Sequence, residues 1–350
     1  MPPLAASLVL FSTLLHAGWN LLAKRGSGSP ALFPRVLLAI AVPGLLFGLL
    51  GEWRGAALLP EIWSFLAVTG AFQAAYFLGL TMGYRSGDLS LVYPLVRALP
   101  VLLVGVFDVL RGQVPGAAGW LGLALVLAGC LLVAAPARAR RADPAGTAGD
   151  ATNRLRDTGR LRWRGSGGFA RRRISGHGSP AAPAPRWHGA AIGWAVIAAL
   201  GTVGYTVADK LAADAIAAAG RAGAGAAFRY GSWEFAVSTA YFLPLLAVAD
   251  RIRPPSGRAS PATPSARLPA RWATIVAIAA LMYVTYALVL WAFQLSWQTS
   301  YVVALRQFSI VAGVVGGALL LGEPARAPRI TGALVIVAGV AVITFVGGEN

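Results

Sequence analysis

Arg97 and Arg306 each interrupt a long apolar run, where a charged side chain costs roughly 2.5–3.5 kcal/mol to insert and so demands a reason. They hold matching places in two related stretches, Ser90-Leu-Val-Tyr-Pro-Leu-Val-Arg97 and Thr299-Ser-Tyr-Val-Val-Ala-Leu-Arg306. A pair of guanidiniums near a central cavity would hold a carboxylate or a phosphate through paired hydrogen bonds. In the structural alternative each arginine is held by Asp108 or by carbonyls of a neighbouring helix. Tyr93 lies one turn before Arg97, and Asp108 returns to the same helix face about three turns later.

A second pair is rarer still. The chain has 28 arginines and only two lysines, and the lysines fall at one repeated position, in Gly18-Trp-Asn-Leu-Leu-Ala-Lys24 and Gly204-Tyr-Thr-Val-Ala-Asp-Lys210. Arginine serves for positive charge everywhere else, so these two sites are expected to need a compact ammonium. Each lysine is expected at the C-terminal end of its helix, holding a carboxylate such as Asp88 or Glu234 and helping to close a gate. Asp209, next to Lys210, joins these gating or coupling candidates. Asp88 and Glu234 are themselves expected in the first turns of their helices, and either could carry a proton. His16, one turn before Asn20, is a proton relay or a hydrogen-bonded interior histidine. Trp19 and Tyr205 line a pathway or anchor at the interface, and Asn20 shares the pathway assignment.

Enzyme chemistry finds no footing. There is no phosphate-cradling glycine loop, no set of metal ligands and no nucleophile with a histidine and a carboxylate at recognisable spacing. Two of the three histidines, His177 and His188, lie in a polar stretch, and the lone Cys130 sits among Leu and Gly. No cofactor and no metal are expected.

The elements that position these residues follow from composition. Of 350 residues 57% are hydrophobic and only 12% charged, with a mean hydropathy of +0.66. Soluble domains carry about twice that share of charge. Ten runs approach the roughly 20 apolar residues that a bilayer requires: 4–23, 31–50, 62–84, 89–110, 117–135, 189–208, 227–249, 273–294, 297–320 and 330–347. No period of two marks them, so a helix bundle is expected rather than a barrel. The first run precedes the first basic residue, Lys24, and shows no cleavage pattern, so it is expected to remain as a helix.

Two stretches stand apart. Residues 136–188 hold twelve Arg against three Asp among Gly, Pro, Ser and Thr, a composition expected to stay disordered. Residues 250–272 repeat the style. The net charge of +17 resides largely in such stretches, which favours a connector at a membrane surface over a nucleic-acid partner. The expected organisation is a five-helix unit over 1–135, a basic linker over 136–188 and a second five-helix unit over 189–350. Because five is odd, the two copies run oppositely through the bilayer, the inverted arrangement of many alternating-access carriers.

The chain resembles the drug/metabolite transporter superfamily, specifically the EamA-like carriers with ten helices and two EamA repeats. The resemblance rests on His16-Ala-Gly-Trp-Asn20 with Lys24, on Tyr84-Arg-Ser-Gly-Asp-Leu-Ser-Leu-Val-Tyr-Pro-Leu-Val-Arg97, and on Leu321-Gly-Glu323 before the final helix. In the first copy Gly112-Gln113 stands where a Gly-Glu is usual, which bears on helix capping. The resemblance implies a secondary transporter of a small polar or amphipathic metabolite in the cytoplasmic membrane, most commonly an exporter of amino-acid-like compounds. Its expected partners are a small-molecule substrate, the lipid bilayer and coupled protons, with no nucleic acid, and it acts as a monomer or homodimer. It also implies cytoplasmic termini, whereas the arginine-rich stretches place the linker in the cytoplasm and both termini outside. The rival readings are a non-transporting subunit that recruits a partner through the basic linker, and a flippase for a lipid-linked metabolite.

Overall fold

The computed structural model describes residues 1–26, 32–54, 57–85, 89–134, 189–252, 272–321 and 327–347. They form helices and no strands. The helices are α1 (Pro3–Gly26), α2 (Leu32–Trp53), α3 (Leu59–Arg85), α4 (Leu89–Leu110), α5 (Ala117–Ala134), α6 (Gly189–Ala218), α7 (Ala224–Ile252), α8 (Trp272–Leu295), α9 (Thr299–Arg306), α10 (Phe308–Leu321) and α11 (Ala327–Phe345). Eight spans are long and apolar enough to cross a membrane, with α9 and α10 together making one of them. The shorter apolar α5 and the helix α4 bring the described spans to ten, at the expected places. This is a multi-pass membrane protein.

Three boundaries differ from expectation. The sixth span continues to Ala218, so Lys210 sits inside α6 and not at its end. The seventh begins at Ala224, which puts Glu234 well beyond the first turn. The ninth is interrupted at Gln307, whose backbone N–H bonds back to Ala304 O at 3.0 Å and whose side-chain amide donates to Val303 O at 3.1 Å. A buried side chain that takes a helical carbonyl loosens the ladder at that turn.

Residues 1–135 and 187–350 form one compact unit. The basic stretch 136–188 and residues 253–271 lie outside the described residues. Within the unit α3 packs on α6 and α7, α8 on α1 and α2, α4 on α6, α9 and α10 on α1, α2 on α7, and α5 on α11. In lipid such packing depends on close approach and not on exclusion of water. At the α5–α11 crossing a Cβ on Gly129 would lie 2.7 Å from Gly332 O, and one on Gly339 would lie 2.8 Å from Gly122 O. The pairing of 122 with 339 and of 129 with 332 makes these two helices antiparallel.

Two glycines close helices in the left-handed conformation. Gly112 ends α4 at φ +75°, with Gly112 N–H donating to Val109 O at 2.9 Å and Gln113 N–H to Asp108 O at 2.8 Å. The backbone of Gln113 completes the cap, so its side chain need not match the usual glutamate. Gly220 closes α6 in the same way.

Candidate functional site

Helices from both halves of the chain surround a small, partly open cavity of about 50 Å³. Its wall is aromatic: Trp19 from α1, Phe33 from α2, Tyr76 and Phe77 from α3, Tyr205 from α6, Phe235 from α7 and Tyr286 from α8. The polar atoms are few. The polar or charged residues among the non-aromatic lining are His16, Gln73, Thr285 and Arg306. No carboxylate is among the lining residues. Trp19 Nε1 and Thr285 Oγ1 are buried without a hydrogen-bond partner.

Arg306 stands at the last residue of α9, against the interruption at Gln307. Its guanidinium rests over the Tyr286 ring, 5.8 Å from the centroid, and makes no hydrogen bond or ion pair among the described residues. Arg97 is engaged differently. Its Nη2 lies 2.8 Å from His16 Nε2 and its Nη1 donates to Ser309 Oγ at 3.4 Å, which ties α4 to α1 and α10. Both guanidiniums are close enough to His16 to act on it electrostatically. The matched arginines thus converge on one region, though only Arg306 lines the cavity.

Asp108 does not hold Arg97. It is fully buried, and its two oxygens accept the N–H groups of Thr299 at 3.0 Å and Ser300 at 2.7 Å. A carboxylate at the N-terminus of α9 satisfies donors that have no intrahelical partner and meets the positive end of the helix dipole. The same-face spacing from Arg97 is real, but the terminus of another helix provides the better partner.

Behind the Tyr286 ring lies a cluster of buried carboxyls. Asp209 accepts hydrogen bonds from Thr69 Oγ1 at 2.7 Å, Tyr230 OH at 3.0 Å and Tyr286 OH. Glu234 accepts one from Gln73 Nε2 at 2.5 Å, and its Oε2 has no partner. Neither carboxyl forms an ion pair among the described residues. Asp209 and Glu234 are 0% exposed.

Lys210, next to Asp209 in the chain, faces another way around the helix. Its ammonium, 3% exposed, donates to Asp214 Oδ1 at 2.8 Å, Phe293 O at 2.9 Å and Ser296 O at 2.6 Å. Asp214 in turn pairs with Arg111 at 2.6 Å. The expected carboxylate exists, but it is Asp214 and not Glu234. The larger part of the lysine's work is to satisfy the last carbonyls around the end of α8. Arg221 and Glu61 pair nearby at 3.3 Å, and Gly223 N–H donates to Gln294 Oε1 at 2.7 Å. Together these contacts fasten one end of the bundle.

A curated relative, the "Uncharacterized transporter in cobO 3'region" of Sinorhizobium sp, is 31% identical over 102 residues, which make up 29% of this chain and 72% of that protein. The chain belongs to the family of that transporter. No family model matches the sequence. A solved structure, described only as "Crystal structure of protein", superposes at a TM-score of 0.58 with 15% identity over 98% of each chain, a likeness of fold alone.

For a member of a transporter family the remaining placements matter. Trp19 and Tyr205, 8% and 4% exposed, face the cavity and are not interfacial anchors. Asn20 is exposed, donates to His16 O at 2.8 Å and does not line the cavity. Asp88 lies outside the described residues, as do the side chains of Lys24 and Tyr93, whose backbones belong to α1 and α4. Sequence reasoning missed Gln73, Thr69, Tyr230 and Tyr286. Gln73 carried a usable signal, being an amide in the middle of an otherwise apolar span. The tyrosines carried none, because a phenol in a membrane helix serves equally as an anchor or as a packing residue.

Proposed function

We propose that this chain is a secondary transporter of the EamA-like kind in the cytoplasmic membrane, moving a small amphipathic metabolite that bears a carboxylate or phosphate. The observation that supports this reading is Arg306, which lines an aromatic cavity and makes no hydrogen bond or ion pair among the described residues. A half-buried guanidinium with no direct ion pair is open to one from an anionic ligand. The aromatic wall suits an apolar body. Arg97 positions His16 beside the same site.

Alternating access requires two related halves, and the packing supports an inverted pair of five-helix repeats. Exchanging the halves maps α3 on α6 to α8 on α1, α3 on α7 to α8 on α2, and α4 on α6 to α9 and α10 on α1. The α2–α7 and antiparallel α5–α11 contacts map onto themselves, as a two-fold axis in the membrane plane demands. Arg306 at an interrupted helix also fits the habit of such carriers, which place binding groups where a spanning helix breaks.

The test compares anionic metabolites inside and outside cells carrying the wild type or Arg306→Gln at equal membrane levels. A carboxylate or phosphate compound redistributed by the wild type alone supports the proposal. Equal redistribution by both proteins removes Arg306 from the substrate site. No redistribution by either leaves the non-transporting subunit as the better reading.

A further inference from the structure

We infer that Asp209 and Glu234 together form a proton-binding site in which Glu234 exchanges the proton and Gln73 and Tyr286 report its occupancy to the cavity. The inference rests on the transporter reading and adds to it the ion that couples. Three observations converge on the site. The two carboxyls come from adjacent helices, α6 and α7, are wholly buried, and have no ion-pair partner among the described residues. Their surroundings are unequal: Asp209 receives three hydroxyl donors, whereas Glu234 receives one donor and keeps Oε2 unpartnered. The third observation is Gln73, 2% exposed and bonded to Glu234, whose own Oε1 also lacks a partner.

The Gln73 amide can serve both protonation states. Its Nε2 donates to a Glu234 carboxylate. Turned about its terminal bond, it presents Oε1 to accept from a Glu234 carboxylic acid. The 2.5 Å separation is short for N–H···O, which runs at roughly 2.7–3.2 Å, and falls at the edge of the O–H···O range. One side chain therefore satisfies Glu234 with or without the proton, and it does so while lining the cavity.

The charged and titratable groups around the pair leave few rivals. From α3 come Thr69 and Gln73, from α6 Tyr205, from α7 Tyr230, and from α8 Tyr286 with Tyr283 beside it. Arg306 from α9 is the cation that acts on both carboxyls. The other charges on the packed helices include Glu61 with Arg221, Lys210 with Asp214, Asp108 with the α9 terminus, Glu52 with the Leu58 N–H, Arg35 at the surface, and Arg229, on α7 itself, half-buried against Gly51 of α2. Arg97 is turned to His16.

Arg306 is thus shared between the carboxyl pair and the cavity, separated from the pair by the Tyr286 ring. An anion bound at Arg306 withdraws its attraction from the pair, which then holds the proton more readily. Linkage makes the effect reciprocal, so proton and anion bind together. Under an inward proton gradient this favours uptake, opposite to the export that the resemblance implies.

The experiment is infrared difference spectroscopy of the full-length protein in lipid, titrated with acid and base and with no transported compound present. The expected result is a carboxylic-acid C=O band that exchanges for carboxylate bands within the physiological pH range. The band is lost in Glu234→Gln. In Gln73→Leu, a milder change that also covers poor folding of the first variant, it persists at a shifted frequency. A wild-type spectrum without such a band overturns the inference, as does a band unchanged in both variants. Neither outcome bears on whether the protein transports, so failure here and failure of the transporter reading are told apart.

Discussion

Arg306 and Asp209 share one phenol: the guanidinium lies over the Tyr286 ring and the carboxylate accepts the Tyr286 hydroxyl. A cation facing a cavity and an anion sealed behind it are thereby held near each other without an ion pair. Such an arrangement leaves the cation available to a ligand while its charge is still felt by the buried acid.

The two matched arginines should separate on substitution. Arg306 has no hydrogen bond to lose among the described residues, so Arg306→Lys should leave thermal stability near wild type and lower transport by about tenfold, a loss of about 1.4 kcal/mol in ligand binding. Arg97→Lys breaks the fork on His16 and Ser309 and should lower both stability and transport. Parallel melting and transport measurements in detergent and in liposomes decide the matter. Equal stability losses in the two variants would show that Arg306 is structural after all.

Lys210 explains one of the two exceptions to arginine usage. An ammonium has three donors, and the site offers three acceptors within 2.9 Å, at Asp214, Phe293 and Ser296. A planar guanidinium cannot reproduce that arrangement in a buried space. Lys210→Arg should therefore destabilise the protein by about 3 kcal/mol and loosen the end of α8. Hydrogen exchange of the Phe293 to Ser300 segment would reveal the loosening, and unaltered protection would reduce Lys210 to a replaceable cation.

The α5–α11 crossing tolerates no side chain. Gly129→Leu should cost about 2 kcal/mol or more through overpacking against Gly332 and Ile336. Gly313→Ala, where nothing lies within 4 Å of the added Cβ, is the control and should be neutral. Thermal unfolding of the two purified variants checks the contrast.

Orientation follows from charge. The positive-inside rule predicts the arginines of 136–188 and those around 251–271 on the cytoplasmic side, and so both termini outside. A C-terminal reporter that works only in the cytoplasm should therefore stay dark. A bright signal would show instead that the resemblance predicts the topology correctly.

Much of the frame was legible in the chain, and the reasons are local. Lipid requires a long apolar run and internal backbone hydrogen bonding from every span, so ten spans could be read from composition and length. The matched motifs, Arg97 with Arg306 and Lys24 with Lys210, were legible because they need only the eye for spacing. Helix ends were less so. Nothing in the apolar count of α6 marks its continuation to Ala218, because Ala-rich sequence propagates a helix beyond the membrane as well as within it.

By itself, then, the sequence determined that this is a multi-span helical membrane protein with paired cations in matched places, since each of those properties resides in a window of some twenty residues. Tertiary structure alone decided the partners. Asp108 bonds to Ser300, 192 positions away, and Glu234 to Gln73, 161 positions away. Hydrophobic periodicity carries no information about which polar group a buried acid will meet, because that is set only when helices from the two halves pack. Arg306 acquired a cavity, and Arg97 a neighbour in His16, through that packing and not through the motif they share.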